Sequence, residues 1–148
     1  MAVVQIMIHA TYGGFGLSDE AQRLYTERGG KCDNFWRIAR DDPLMVSIVK
    51  ELGPRASKFG GCIRIVEIPA RFGKHFRISE YDGLESVVIK YSSYRVETAK
   101  ALLKDEELTL LERVERASAA LEEKFEDEDE DEKNEEDDED DDDDEDEE

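Results

Sequence analysis

The chain has 148 residues, of which 40 are acidic, 20 basic and 39% apolar, giving a formal net charge of −20. Of these, 21 acids and one lysine fall in residues 126–148, which leaves 19 charges of each sign in residues 1–125; the body is neutral and the tail carries all the net charge. This composition excludes a membrane span, a disulfide framework built on only two cysteines, and free DNA or RNA as ligands of a tail that phosphate would repel.

Residues 2–9 (AVVQIMIH) are rich in β-branched and apolar side chains and stop at Tyr12-Gly13-Gly14-Phe15-Gly16, so they read as a buried strand followed by a turn. Ser18 supplies a helix-capping oxygen, with Asp19 and Glu20 where the helix dipole favours negative charge, and Gly29-Gly30 ends the helix expected over about 18–28. Its apolar face is Ala21, Leu24 and Tyr25. Phe35-Trp36-Arg37-Ile38 is expected to be extended and partly buried. The strongest helix signal is Asp42-Pro43, cap and first helical residue, followed by Leu44, Ile48, Val49 and Leu52 and ended by Gly53-Pro54.

Cys62 to Ile68 alternates apolar with charged residues before Pro69, as a half-buried strand does. The segments 75–80 and 84–91 flank Tyr81-Asp82-Gly83, whose aspartate-glycine pair supplies the positive φ angles of a tight hairpin. From about Tyr94 a helical stripe of Leu103, Leu110, Leu111, Val114, Leu121 and Phe125 appears, with Lys104-Asp105-Glu106-Glu107 as a break between two helices. The expected fold is α+β: a small mixed sheet with a β-hairpin and three to four helices in one domain over residues 1–125.

Residues 126–148 hold nothing apolar, so they cannot offset the entropy of ordering a backbone and are expected to be disordered and extended. At full stretch they reach roughly 75 to 80 Å, with a field screened within about 8 Å. The natural counterpart is a basic surface. Glu126, Asp127, Glu128 and Asp129 at the start, and Asp137, Asp138, Asp140, Asp141, Asp142, Asp143 and Asp144 further on, are the candidate contacts to a basic protein such as a histone-like or DNA-packaging protein. A solubility brush with no specific partner is the plainer role for the same residues.

A second candidate partner for the tail lies in the body. Arg55, Lys58, Arg64, Arg71, Lys74 and Arg77 face one acid, Glu67, for a local net charge of +5. Phe59, Phe72, His75 and Phe76 are interleaved with them, as on a nucleic-acid surface, although the two later phenylalanines suit a core equally well.

Other constellations reduce to structural roles. Gly13, Gly14 and Gly16 before Ser18 have the outline of a phosphate loop, but no cation lies between Met1 and Gln22 and neither phosphate-loop spacing is met. A backbone turn is the expected role. His9, Cys32, Cys62 and His75 could ligate zinc, yet they stand singly, so no metal or cofactor is expected; His9 is expected to be packed and His75 to lie on the surface. Asp41, Asp42, Glu80, Asp82 and Glu85 could line an acid-base cleft with His9 or His75. Simpler duties exist for them: Asp42 and Pro43 start a helix, Asp82 and Gly83 make a turn, and Glu80 and Glu85 suit the polar face of a hairpin. No serine or cysteine has a nucleophile's setting, and enzyme activity is not indicated.

The blocks Tyr12-Gly13-Gly14-Phe15-Gly16-Leu17-Ser18, Arg40-Asp41-Asp42-Pro43 with Glu51-Leu52-Gly53, Ile65-Val66-Glu67-Ile68-Pro69 and Ile78-Ser79-Glu80-Tyr81-Asp82-Gly83-Leu84-Glu85 occur in this order. In them the chain resembles a family of small uncharacterised proteins of large DNA viruses and phages. A glutamate-x-histidine-arginine segment common in that family is missing at Lys90 to Arg95. The resemblance covers residues 1–90; it implies a shared fold and a viral setting, and it brings no activity with it. Location in host cytoplasm, nucleus or virion is the matching expectation. The opening apolar run, without a basic leader, reads as a strand and not as a signal peptide.

Overall fold

The computed structural model describes residues 2–125; the acidic tail, with the disorder and contacts expected of it, lies outside the described residues. The fold is α+β, with four α-helices and two two-stranded antiparallel ladders. The residues gather into two compact units that divide after Lys90.

In the first unit, strand β1 (Val3–His9) pairs antiparallel with β2 (Ile63–Pro69), Met7 opposite Ile65. Between them in sequence run helix α1 (Asp19–Glu27) and helix α2 (Pro43–Leu52). The Ser18 hydroxyl accepts from the Ala21 amide at 3.2 Å and donates to the Arg55 carbonyl at 2.6 Å, so one side chain both starts α1 and ties it to a later turn. Asp42 caps α2 through the Met45 amide at 2.8 Å, and Gly53 closes it at φ 58°. Tyr25 donates to the other Asp42 oxygen at 3.0 Å; burial, and then this bond, raise its hydroxyl pKa above the ordinary range.

The core lies between these helices and β1. Met45, Ile48, Val49 and Leu52 recur at helical spacing on α2 and pack with Met7, Leu17, Ala21 and Tyr25; Ile48 and Met7 are wholly buried. Each such side chain contributes about 1.5–3 kcal/mol relative to exposure. Strands β3 (Phe76–Tyr81) and β4 (Leu84–Ile89) form the second ladder around Asp82 (φ 52°) and Gly83 (φ 85°), as the aspartate-glycine pair predicts.

Two local expectations are corrected. Phe35–Arg37 is a single 3-10 turn and not extended, capped by the Asn34 side chain on the Trp36 amide; the segment is partly buried as expected, with Ile38 buried, Phe35 half-buried and the tryptophan 67% exposed. His75 is buried, because the turn after Ala70–Phe72 folds its backbone inward: its amide donates to the Phe72 carbonyl and its carbonyl accepts from Lys90.

The second unit is a helical hairpin of α3 (Tyr91–Leu103) and α4 (Leu110–Glu122), divided at the charged break read from the sequence. Thr109 and Glu112 form a reciprocal capping box at the start of α4. Tyr91 stacks on Phe125 with ring centroids 4.5 Å apart, and Arg95 donates to the Glu123 carbonyl. The expected leucine stripe is largely in water: Leu110 is 75% and Leu111 68% exposed, while Ala99 and Ala117 are buried. The buried positions on these helices are Tyr91, Ala99 and Ala117, while Leu102 and Leu108 are half-buried.

Candidate functional site

The outer edge of β1, opposite β2, gathers three of the four sequence blocks. Along that edge the Met7 and His9 amides point away from the ladder, because the even-numbered neighbours continue its pairing, with Ala10 donating to Cys62 and Ala70 to Ala2. The Met7 amide donates to the Arg40 carbonyl at 2.8 Å. The His9 amide donates to Glu85 Oε2 at 2.8 Å. Glu85 is in turn held by Arg40 in a two-pronged ion pair, Nη1 to Oε2 at 2.6 Å and Nη2 to Oε1 at 2.8 Å. A side-chain pair thus stands where a third strand would lie.

The pair is largely withdrawn from water, with the side chains 19% and 5% exposed for Arg40 and Glu85. The Phe15 ring covers the guanidinium at 3.5 Å from its centroid, which adds a cation–π contact and shields the ion pair. The carboxylate receives three hydrogen bonds, as a buried charge requires. Glu85 is therefore not on the polar face of its hairpin. Its partner lies 45 residues earlier in the chain, a distance at which spacing carries no signal.

Two turns close over this pair. A Cβ on Gly83 would collide with the Gly14 nitrogen and lie 2.5 Å from the Gly13 nitrogen, so only glycine allows the hairpin turn to touch the loop backbone. Gly13 and Gly14 take positive φ, which answers the question of what the glycine loop is for: it packs on Gly83. The Gly83 carbonyl meets His9 Nδ1 at 3.2 Å, and because a carbonyl only accepts, Nδ1 carries the proton. His9 is buried, as expected of a strand-end histidine.

Three of the five carboxylates of the acid-base reading are engaged in this framework, while Asp41 and Asp82 are exposed. Asp42 caps α2, Glu80 accepts from the Gly83 amide at 3.1 Å, and Glu85 is saturated. Ser57 Oγ is buried without a hydrogen-bond partner near His9, an arrangement that invites comparison with a nucleophile and its base. The imidazole, however, turns to Gly83 and, at 3.5 Å, to Thr11, and both groups are closed off from solvent. Among the described residues no three His, Cys, Asp or Glu side chains gather as metal ligands, and Cys32 and Cys62 are free thiols.

The basic stretch is spread over several elements. Arg55 lies 3.3 Å from Glu20 and Lys58 3.8 Å from Asp19, the two acids of the first turn of α1, and Arg71 sits over the Phe72 ring. Arg64 on β2, Arg77 on β3 and Lys74 between the two strands are exposed. Phe72 is buried in the body and Phe76 half-buried, so these aromatics serve the core.

Sequence reasoning passed over a cleft of about 250 Å³ beside the 3-10 turn, lined by Leu17, Gln22, Asp33, Phe35, Trp36 and Lys58. The one tryptophan of the chain, in the short aromatic segment Phe35-Trp36, was the available signal. No described helix is long and apolar enough to cross a membrane. Compared with known proteins, the chain matches no family model, no curated protein and no solved structure.

Proposed function

We propose that this is a non-enzymatic interaction protein whose acidic tail engages a basic partner, a histone-like or DNA-packaging protein being the best chemical fit. One observation carries the reading: a body with equal numbers of acids and bases precedes a segment with 21 acids and one lysine. The engagement of Asp42, Glu80 and Glu85 in structural bonds supports a role without catalysis. Resemblance of the blocks to proteins of large DNA viruses and phages supports a viral setting, in host cytoplasm, nucleus or virion. The test is capture of a histone mixture by the full chain and by a chain ending at Phe125, at about 0.1 M and about 1 M salt, where the Debye length falls from about 10 Å to 3 Å. Capture is expected at low salt by the full chain alone. Equal capture by the shortened chain overturns the reading.

A second reading has the tail folding back over its own body. It is favoured by Arg64, Lys74 and Arg77, exposed cations with no ion pair among the described residues. Under it, removing the tail raises affinity for DNA or RNA at low salt instead of abolishing a contact.

A further inference from the structure

We infer that the cleft beside Trp36 is a receptor for one arginine side chain of the basic partner. This rests on the reading above for the partner's charge, and it adds a second, short-range mode of recognition on the body.

The cleft's volume of about 250 Å³ is below the range of about 300–1,000 Å³ typical of drug-sized ligands, and suits a single side chain. Its wall is the Trp36 ring, 67% exposed yet held in place. The Asn34 side chain accepts from the Trp36 amide at 3.0 Å, and the ring tip lies so close to the glycine loop that a Cβ on Gly16 would be 3.7 Å from it. An aromatic ring fixed by its backbone and left open on a face is a surface on which a planar cation stacks without ordering the ring. Asp33, exposed and with no ion pair among the described residues, supplies a carboxylate for the guanidinium N–H groups.

The neighbouring charges favour a cation. Lys58, the one base on the lining, already lies 3.8 Å from Asp19 outside it, so the Asp33 carboxylate is the lining charge left to be answered. Arginine fits better than lysine because its flat guanidinium can stack and at the same time donate to both oxygens of a carboxylate, whereas an ammonium is a point charge with a tighter water shell. Single-stranded nucleic acid, which could also stack on Trp36, would bring phosphate up to the Asp33 carboxylate.

Trp36 is the only tryptophan in the chain, so its emission reports this site alone. The full chain is titrated with a labelled arginine-rich peptide, a lysine-rich peptide of equal length, and oligothymidylate, following label anisotropy for total binding and Trp36 emission for the cleft. Saturable change of Trp36 emission is expected with the arginine peptide, persisting at about 1 M salt where tail electrostatics are screened, and weaker with lysine. Asp33→Asn, an exposed change that leaves the fold intact, is expected to weaken the emission-detected affinity by about fivefold. Anisotropy that rises at low salt with no change in Trp36 emission overturns this inference and leaves the tail reading standing. Absence of low-salt binding overturns the tail reading. An emission response to oligothymidylate in place of arginine, or one unaltered by Asp33→Asn, overturns the cleft's assignment to arginine.

Discussion

In residues 2–90 a glutamate is among the most buried groups, while in residues 91–125 leucines stand in water. Glu85 can be buried because Arg40, the His9 amide and the Phe15 ring supply its charge partner, hydrogen bond and cover. Leu110 and Leu111 are exposed, whereas the buried positions of their hairpin are Tyr91, Ala99 and Ala117. The contrast separates two ways of holding a fold. The first unit depends on a few contacts between distant residues, each expensive to lose, and the second on local helix chemistry, each element of which is worth little alone.

The largest expected effect is on the ion pair. Arg40→Met leaves a buried carboxylate without its counter-charge and should cost about 3–5 kcal/mol, seen as a lower midpoint of urea unfolding. A loss below about 1 kcal/mol would mean that Glu85 reaches water and that the contrast between the units is false. Next is the contact of the two turns. Gly83→Ala combines a positive φ with a collision against the Gly13-Gly14 backbone and should cost at least about 1–3 kcal/mol. Gly29→Ala, equally positive in φ but facing open space, isolates the backbone share, about 1–2 kcal/mol. Equal losses would show that the turns are not in contact.

The smallest effect probes the second unit. Thr109→Ala removes the cap of α4 and should cost about 1 kcal/mol, visible as faster amide exchange at Glu112. The Thr109 hydroxyl, followed by its backbone N–H, holds the Glu112 carboxyl below its ordinary value of 4.5. A lowered folded-state value means that this contribution is complete above pH 4.5 and fades as pH falls through the lowered value. Thr109→Ala removes the hydroxyl's share and should reduce that acid dependence, the backbone N–H keeping the remainder. An undiminished dependence would assign it to another carboxylate.

Elements set by neighbours in sequence were legible. Asp42-Pro43 and Gly53 bound α2, Asp82-Gly83 makes the hairpin turn, and the charged break at 104–107 separates α3 from α4. Each rests on chemistry within a few residues. The roles of Glu85 and Arg40 were not legible, because an alternating strand places glutamate outward unless a counter-charge waits elsewhere, and periodicity cannot report that. His75 was misplaced for a similar reason: the cations beside it suggested water, whereas the preceding 3-10 turn decided its burial. The Trp36 cleft was missed because Phe35-Trp36-Arg37-Ile38 is too short to show a period, and the 3-10 turn it forms, with the tryptophan outward, is not written in its composition.

The bond from the His9 amide to Glu85 spans 76 residues. A ribosome making about 5–20 residues per second therefore exposes the first strand roughly 4 to 15 seconds before the carboxylate that completes its edge has been made. During that interval the nascent chain presents an apolar strand with open hydrogen-bonding groups, the kind of surface that pairs with the wrong neighbour. Synthesis of β4 is thus the moment at which the oldest part of the chain ceases to be adhesive.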